Sequence, residues 1–308
     1  MLFLILWSYK GIKLSNYMQE SLIKSSFKYC ENIAKNHYEN FPVASLLIPK
    51  EKRKYIYSIY AFARVADDFA DEPDIEGGKE KRLALLDEWK AKLKNSYNEK
   101  AYDPIFIALA STVKDCKIPI EPLENLLKAF RQDVVKSRYE NFKEVSDYCT
   151  NSANPVGRLV LMVFGKHDEE MFKYSDKLCT ALQLTNLWQD VSVDLKKDRV
   201  YIPQDDLKNY GYSEEELINL KYNNNFKELI KFQVNRTDKI FEEGKQLIRL
   251  TAEDKSLNRL TWELKLTWLG GKEILNKIKS LDYDVLSKRP KLNFFNKLKL
   301  LLKSKFLK

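Results

Sequence analysis

Nine glycines and nine prolines in 308 residues leave this chain few places to end a helix. That is about half of average usage. Strand-like alternation is scarce, while apolar residues recur at helical spacing over long stretches. An all-α fold is the expectation. Residues 50–71, after Pro49, form one long candidate helix. Residues 104–116 start with Pro104 in a favourable first-turn position and carry Ile105, Leu109 and Val113 on one face. Beyond Pro122, Leu123, Leu127, Phe130 and Val134 mark another face. Asn141 with Glu144 and Ser213 with Glu216 read as capping boxes, and Asp168 as a cap. Residues 226–250 and 256–280 supply two more helices. One helical domain over residues 18–287 is the simplest organisation.

Residues 2–7 are apolar but too short to span a bilayer, so residues 1–17 read as a disordered extension or an upstream start whose counterpart is Met18, with a weak membrane anchor as the lesser alternative. Four cysteines without metal-site spacing read as reduced thiols of a cytoplasmic protein. Two histidines rule out a histidine-rich zinc site, and no glycine-rich phosphate loop is present. The net charge of +9 sits in the tail, where residues 288–308 hold eight basic residues and no acid. The remainder is nearly neutral, so nucleic acid is not the expected partner. On a helix, Phe294, Phe295, Leu298, Leu301, Leu302 and Phe306 share one side of this tail, interrupted by Lys305. Such a helix suits an anionic membrane surface at the inner face of the cell membrane, or packs on the domain with its lysines wet.

Two acidic motifs carry the chemistry. Asp67-Asp68-Phe69-Ala70-Asp71 lies within the 50–71 helix, and Asn186, Asp190 and Asp194 repeat at intervals of four in a second helical stretch. That spacing stacks side chains on one helix face. Clustered carboxylates repel unless a cation lies among them, and an all-oxygen donor set suggests Mg²⁺ completed by water and phosphate. The acids are embedded among Ala61, Phe62, Ala63, Val65, Ala66, Phe69 and Ala70, and among Leu182, Leu184, Leu187, Trp188, Val191 and Val193. Solubility does not call for charge there, because buried unpaired charge is expensive. Arg64, three before Asp67, can hold the acids ionised and then turn to phosphate oxygens. Lys196, Lys197, Arg199 and Tyr201 follow the second motif, where cations would meet a leaving diphosphate.

These strings, together with His37-Tyr38-Glu39-Asn40-Phe41-Pro42-Val43-Ala44-Ser45, Tyr60-Ala61-Phe62-Ala63-Arg64 and Ser152-Ala153-Asn154-Pro155-Val156-Gly157-Arg158-Leu159, resemble the squalene/phytoene synthase family across about residues 30–285. Within it they are most similar to the branch that makes hydroxysqualene for hopanoids. The resemblance implies an isoprenoid synthase fold, a single helical domain around a central cavity. It implies Mg²⁺ ligation by Asp67, Asp71, Asn186, Asp190 and Asp194, supported by Asp68. Arg64, Arg199 and Tyr201 would contact diphosphate, Tyr60, Tyr148 and Gln183 would line the reaction chamber, and His37 and Asn40 would sit near the diphosphate entrance. Two departures stand out: Gln189 where condensing members carry arginine before the aspartate, and Ser152 to Gly157 where they carry a Val-Ala-Gly-Thr-Val-Gly type segment.

The expected reaction is conversion of presqualene diphosphate and water to hydroxysqualene, with Tyr148 and Asn154 as candidates to position the water. Presqualene diphosphate synthase and hydroxysqualene reductase would be its pathway neighbours, since no nicotinamide motif is visible. Condensation of two farnesyl diphosphates to presqualene diphosphate, squalene or dehydrosqualene is the close alternative. A catalytically silent membrane-surface scaffold is the alternative of a different class.

Overall fold

The computed structural model describes residues 2–36, 47–71, 76–98 and 100–307, with side chains from Met18 onward. His37 and Asn40 lie outside the described residues. Every named element is a helix, and the one β-type contact among them is an isolated parallel bridge between Arg138 and Val200. No described helix is long and apolar enough to cross a membrane. Contacts group the chain into two compact units, Met1–Ile120 and Glu121–Lys308.

The first unit contains α1 (Leu2–Asn36), α2 (Lys50–Asp71), α3 (Gly78–Tyr97) and α4 (Pro104–Asp115). The stretch read as an N-terminal extension or upstream start falls within the bounds of α1. Between Leu2 and Asn36 Gly11 is the one glycine and no proline intervenes, so no strong breaker stops the helix. Asp103 caps α4 by accepting from the Ile105 amide, with Pro104 at the first helical position where no amide partner is needed. The core is aromatic: Trp89 packs edge-on against Phe106 at 4.6 Å and Phe69 at 5.4 Å, and its indole N–H donates to the Phe62 carbonyl at 3.2 Å. Ser58 and Thr112 share a buried 2.6 Å hydrogen bond between α2 and α4. Together these contacts fix the rotation of α2.

The second unit contains α5 (Glu121–Val135), α6 (Phe142–Ser152), α7 (Asn154–Val163), α8 (Glu169–Gln189), the short α9 (Val191–Asp194), α10 (Gln204–Asn209), α11 (Glu214–Ile218), α12 (Asn224–Gly244), α13 (Gln246–Glu253), α14 (Asn258–Ser280) and α15 (Phe294–Ser304). Helix α8 is central, packing against α7, α6, α12, α13 and α14. Trp188 is fully buried on it and donates to Thr237 Oγ1 at 2.8 Å, tying α8 to α12. Gly157 lets α7 approach, since a Cβ there would meet Ser175 Oγ at 2.3 Å and Cys179 Sγ at 2.6 Å. The expected helix over 226–250 is two: α12 ends at Gly244, where its backbone presses on Leu178 of α8, and α13 restarts at Gln246. The tail 288–308 groups with this unit.

Candidate active site

On α2 the small and apolar side chains Ser58, Ile59, Ala61, Phe62, Ala66 and Ala70 are buried. At 100° per residue they occupy one side, which leaves Tyr60, Arg64, Asp67 and Asp71 together on the other. Arg64 bridges the motif: Nη1 lies 3.4 Å from Asp67 Oδ2 and Nη2 pairs with Asp68 Oδ1. Its Nε is buried with no hydrogen-bond partner, a donor that an anion could satisfy. Burial raises the Tyr60 hydroxyl above its ordinary pKa, so it stays a neutral donor.

The second motif departs from the expected single helix face. Helix α8 stops at Gln189, and Asp190 (φ −106°, ψ 15°) joins it to α9. The amide bonds Asp190 to Asn186 and Asp194 to Asp190, both 2.9 Å, keep a helical register across that junction. Asn186 is thus an exposed α8 residue, Asp190 a junction, and Asp194 the end of α9. Gln183 is half-buried one turn before Asn186.

A strap from the far end of the chain covers Asp190. Arg289 approaches its carboxylate with both nitrogens, Nε to Oδ1 at 2.5 Å and Nη2 to Oδ2 at 2.8 Å. Gln189, buried, donates to the Pro290 carbonyl at 2.6 Å, and Ser192 donates to Val285 at 3.3 Å. Arg289 thus places a positive charge directly on Asp190. Sequence reasoning missed this residue because its partner lies 99 positions away.

Asp133 was missed as well, and it organises the rest of the site. Its carboxylate accepts from Tyr148 at 3.0 Å and Tyr201 at 3.1 Å, while Arg199 donates to its carbonyl at 3.3 Å. The three tyrosines 139, 148 and 201 pack with ring centroids 5.4–5.8 Å apart. The backbone reason is local. Asp198 takes the left-handed conformation, which a short polar side chain tolerates, and Val200 bonds to Ser137 at 2.9 Å. That bridge sets Tyr201 beside Tyr139. Burial, then the Asp133 charge, hold the Tyr148 and Tyr201 hydroxyls well above the ordinary range, so both remain neutral donors. Asp194, Arg199 and Tyr201 also line a small recess with Leu187 and Val191. Asn154 is buried and accepts from Thr180 at 2.9 Å, whereas the buried Ser152 hydroxyl has no partner.

Among the described residues no three acidic, histidine or cysteine side chains make a metal cluster by themselves. The donors are oxygens only, and a guanidinium already stands on each motif where a cation would be favourable. Each motif by itself offers oxygen donors of the kind a hard divalent ion takes together with waters and phosphate.

A family model described as squalene/phytoene synthase matches residues 34–296. This chain belongs to the squalene/phytoene synthase family. Chloroplastic phytoene synthase of an Oncidium hybrid cultivar is 30% identical over 274 residues, 87% of this chain and 65% of that protein. The chain thus spans just under two thirds of that relative. Phytoene synthase of Arthrospira platensis is 28% identical over 277 residues, covering 86% and 87% of the two chains. The crystal structure of squalene synthase HpnC from Alicyclobacillus acidocaldarius superposes with a TM-score of 0.79 at 37% identity, over 85% of this chain and 95% of that one. A dehydrosqualene synthase structure gives 0.81 at 24% identity, covering 94% and 98%, and speaks for the fold alone. The fold is the all-α isoprenoid synthase fold.

Proposed function

We propose that this family member converts presqualene diphosphate and water to hydroxysqualene, releasing diphosphate. The observation that carries the reading is the face of α6 on which Tyr148 and Ser152 stand one turn apart. It offers a buried, partnerless Ser152 hydroxyl, able to hydrogen-bond one water, one turn from a tyrosine whose own proton is given to Asp133 in a hydrogen bond. The 37% identity to squalene synthase HpnC supports a substrate of squalene length.

Magnesium held by Asp67 and Asp71, with Asp68 in support, and magnesium held by Asn186, Asp190 and Asp194 would each supply Lewis-acid stabilisation of a leaving diphosphate. Arg64, through its unsatisfied Nε, and Arg199 would bind phosphate oxygens. The carbon–oxygen bond to diphosphate breaks with its electron pair, leaving a cyclopropylcarbinyl cation. The ring faces of Tyr139, Tyr148 and Tyr201 would shelter that cation. Ring opening follows, and the water held at Ser152 forms the new carbon–oxygen bond. Its proton passes to the released diphosphate or to solvent. Atoms balance without a redox partner, so reduction falls to another enzyme.

Condensation of two farnesyl diphosphates is the second reading. It is favoured by the name of the squalene synthase neighbour, whose thirty-carbon product is the sum of two fifteen-carbon units, and by Arg289, which brings a cation to Asp190. Diphosphate release with presqualene diphosphate, and none with farnesyl diphosphate, supports the first. Release from farnesyl diphosphate alone supports the second.

A further inference from the structure

Helix α15 has two unlike sides. Leu300 and Ser304 are 6% and 1% exposed, and Ser304 Oγ accepts from the Trp262 indole on α14 at 2.8 Å. That seats one side on the second unit. The other side carries Phe294, Phe295, Leu298, Leu301, Leu302 and Phe306, all exposed, with the three phenylalanines at 74%, 77% and 83%. At 100° per residue they span an arc of about 140° centred opposite the seated face. Lys297 borders the arc on one flank, Lys299 and Lys303 on the other, and Lys305 lies within it; all four are exposed. From Val285 to Leu307 there is no carboxylate. Isolated exposed apolar residues need no explanation, but six on one helical stripe framed by lysines do.

We propose that α15 is a docking surface for an anionic lipid bilayer, lying in its headgroup plane with the stripe inward. Charge complementarity selects this occupant. A second copy of the same stripe would bring lysine against lysine, whereas an anionic surface accepts both the lysines and the phenylalanines. The helix is also presented in order. Asn293 caps it, and the preceding strap is pinned through Pro290 to Gln189 and through Arg289 to Asp190. Little ordering is left to be done on docking.

The test is co-sedimentation of the full chain with phosphatidylcholine vesicles with and without 30 mol% phosphatidylglycerol, the latter an assay choice of about physiological anionic content. Binding to the anionic vesicles should weaken at least tenfold in high salt. Replacing Lys297, Lys299, Lys303 and Lys305 by glutamine should weaken it by at least tenfold, each lysine contributing up to about fivefold. The variant Phe294→Ser, Phe295→Ser, Leu298→Ser should also lose at least tenfold. These side chains point to solvent, so thermal unfolding should be unchanged. Binding that survives the serine substitutions, equal binding to neutral vesicles, or vesicle-free dimerisation abolished by the same substitutions would each overturn the proposal.

Discussion

Replacing Arg289 with glutamine removes the guanidinium from Asp190 while leaving the Gln189–Pro290 hydrogen bond to hold the strap. The pair is two-pronged, at 2.5 and 2.8 Å, with side chains 41% and 22% exposed. Solvent screens such a pair, so its worth is about 0.5–1 kcal/mol, or a closed-to-open ratio of about 2–5. A divalent ion that uses Asp190 must first open it. Its apparent affinity is lowered by one plus that ratio, and Arg289→Gln should tighten Mn²⁺ binding about threefold to sixfold in the absence of diphosphate. The hexaaquo Mn²⁺ signal in electron paramagnetic resonance measures free ion directly. The gain should shrink as salt rises, because salt already weakens the pair. Unchanged or weaker Mn²⁺ binding at low salt would refute the competition.

Asp133→Asn keeps the shape but removes the charge that two tyrosines donate to. Urea unfolding should show a loss of about 1.5–3 kcal/mol, and turnover should fall at least tenfold. Asp67→Asn and Asp190→Asn should each keep the thermal transition yet lose turnover; full product formation in both would remove the motifs from the mechanism. Ser152→Ala should leave substrate consumption largely intact while shifting product from alcohol to alkene, read by mass spectrometry. Glu263 is pushed up to about 7 by burial, with Oε2 lacking a partner. The folded state therefore holds its proton to higher pH than the unfolded chain, and stability falls as pH rises from about 4.5 to about 7. Glu263→Gln should flatten that fall and add about 1–3 kcal/mol at pH 8.

Local chemistry made much of this fold legible. The 50–71 helix, the Pro104 start, the Asp168 cap and the Ser213/Glu216 box are set by neighbours within four residues, and each lies where the sequence puts it. Asn141 caps α6, although Glu144 reaches back to the Glu140 amide rather than closing a box on Asn141. The tail helix appears with its apolar stripe on one side, as the pattern requires. The break at Asp190 and the restart after Gly244 depend on contacts with other helices, and periodicity carries no trace of them. Asp133 and Arg289 escaped for the same reason. Asp133 meets Tyr201 across 68 residues and Arg289 meets Asp190 across 99, and in sequence each is one charged residue among many.

The measurement that bears most directly on the account is product identity after incubation with presqualene diphosphate and Mg²⁺ in ¹⁸O-labelled water. Water capture predicts hydroxysqualene carrying one ¹⁸O. Squalene, dehydrosqualene or an unlabelled alcohol as the sole product would contradict it.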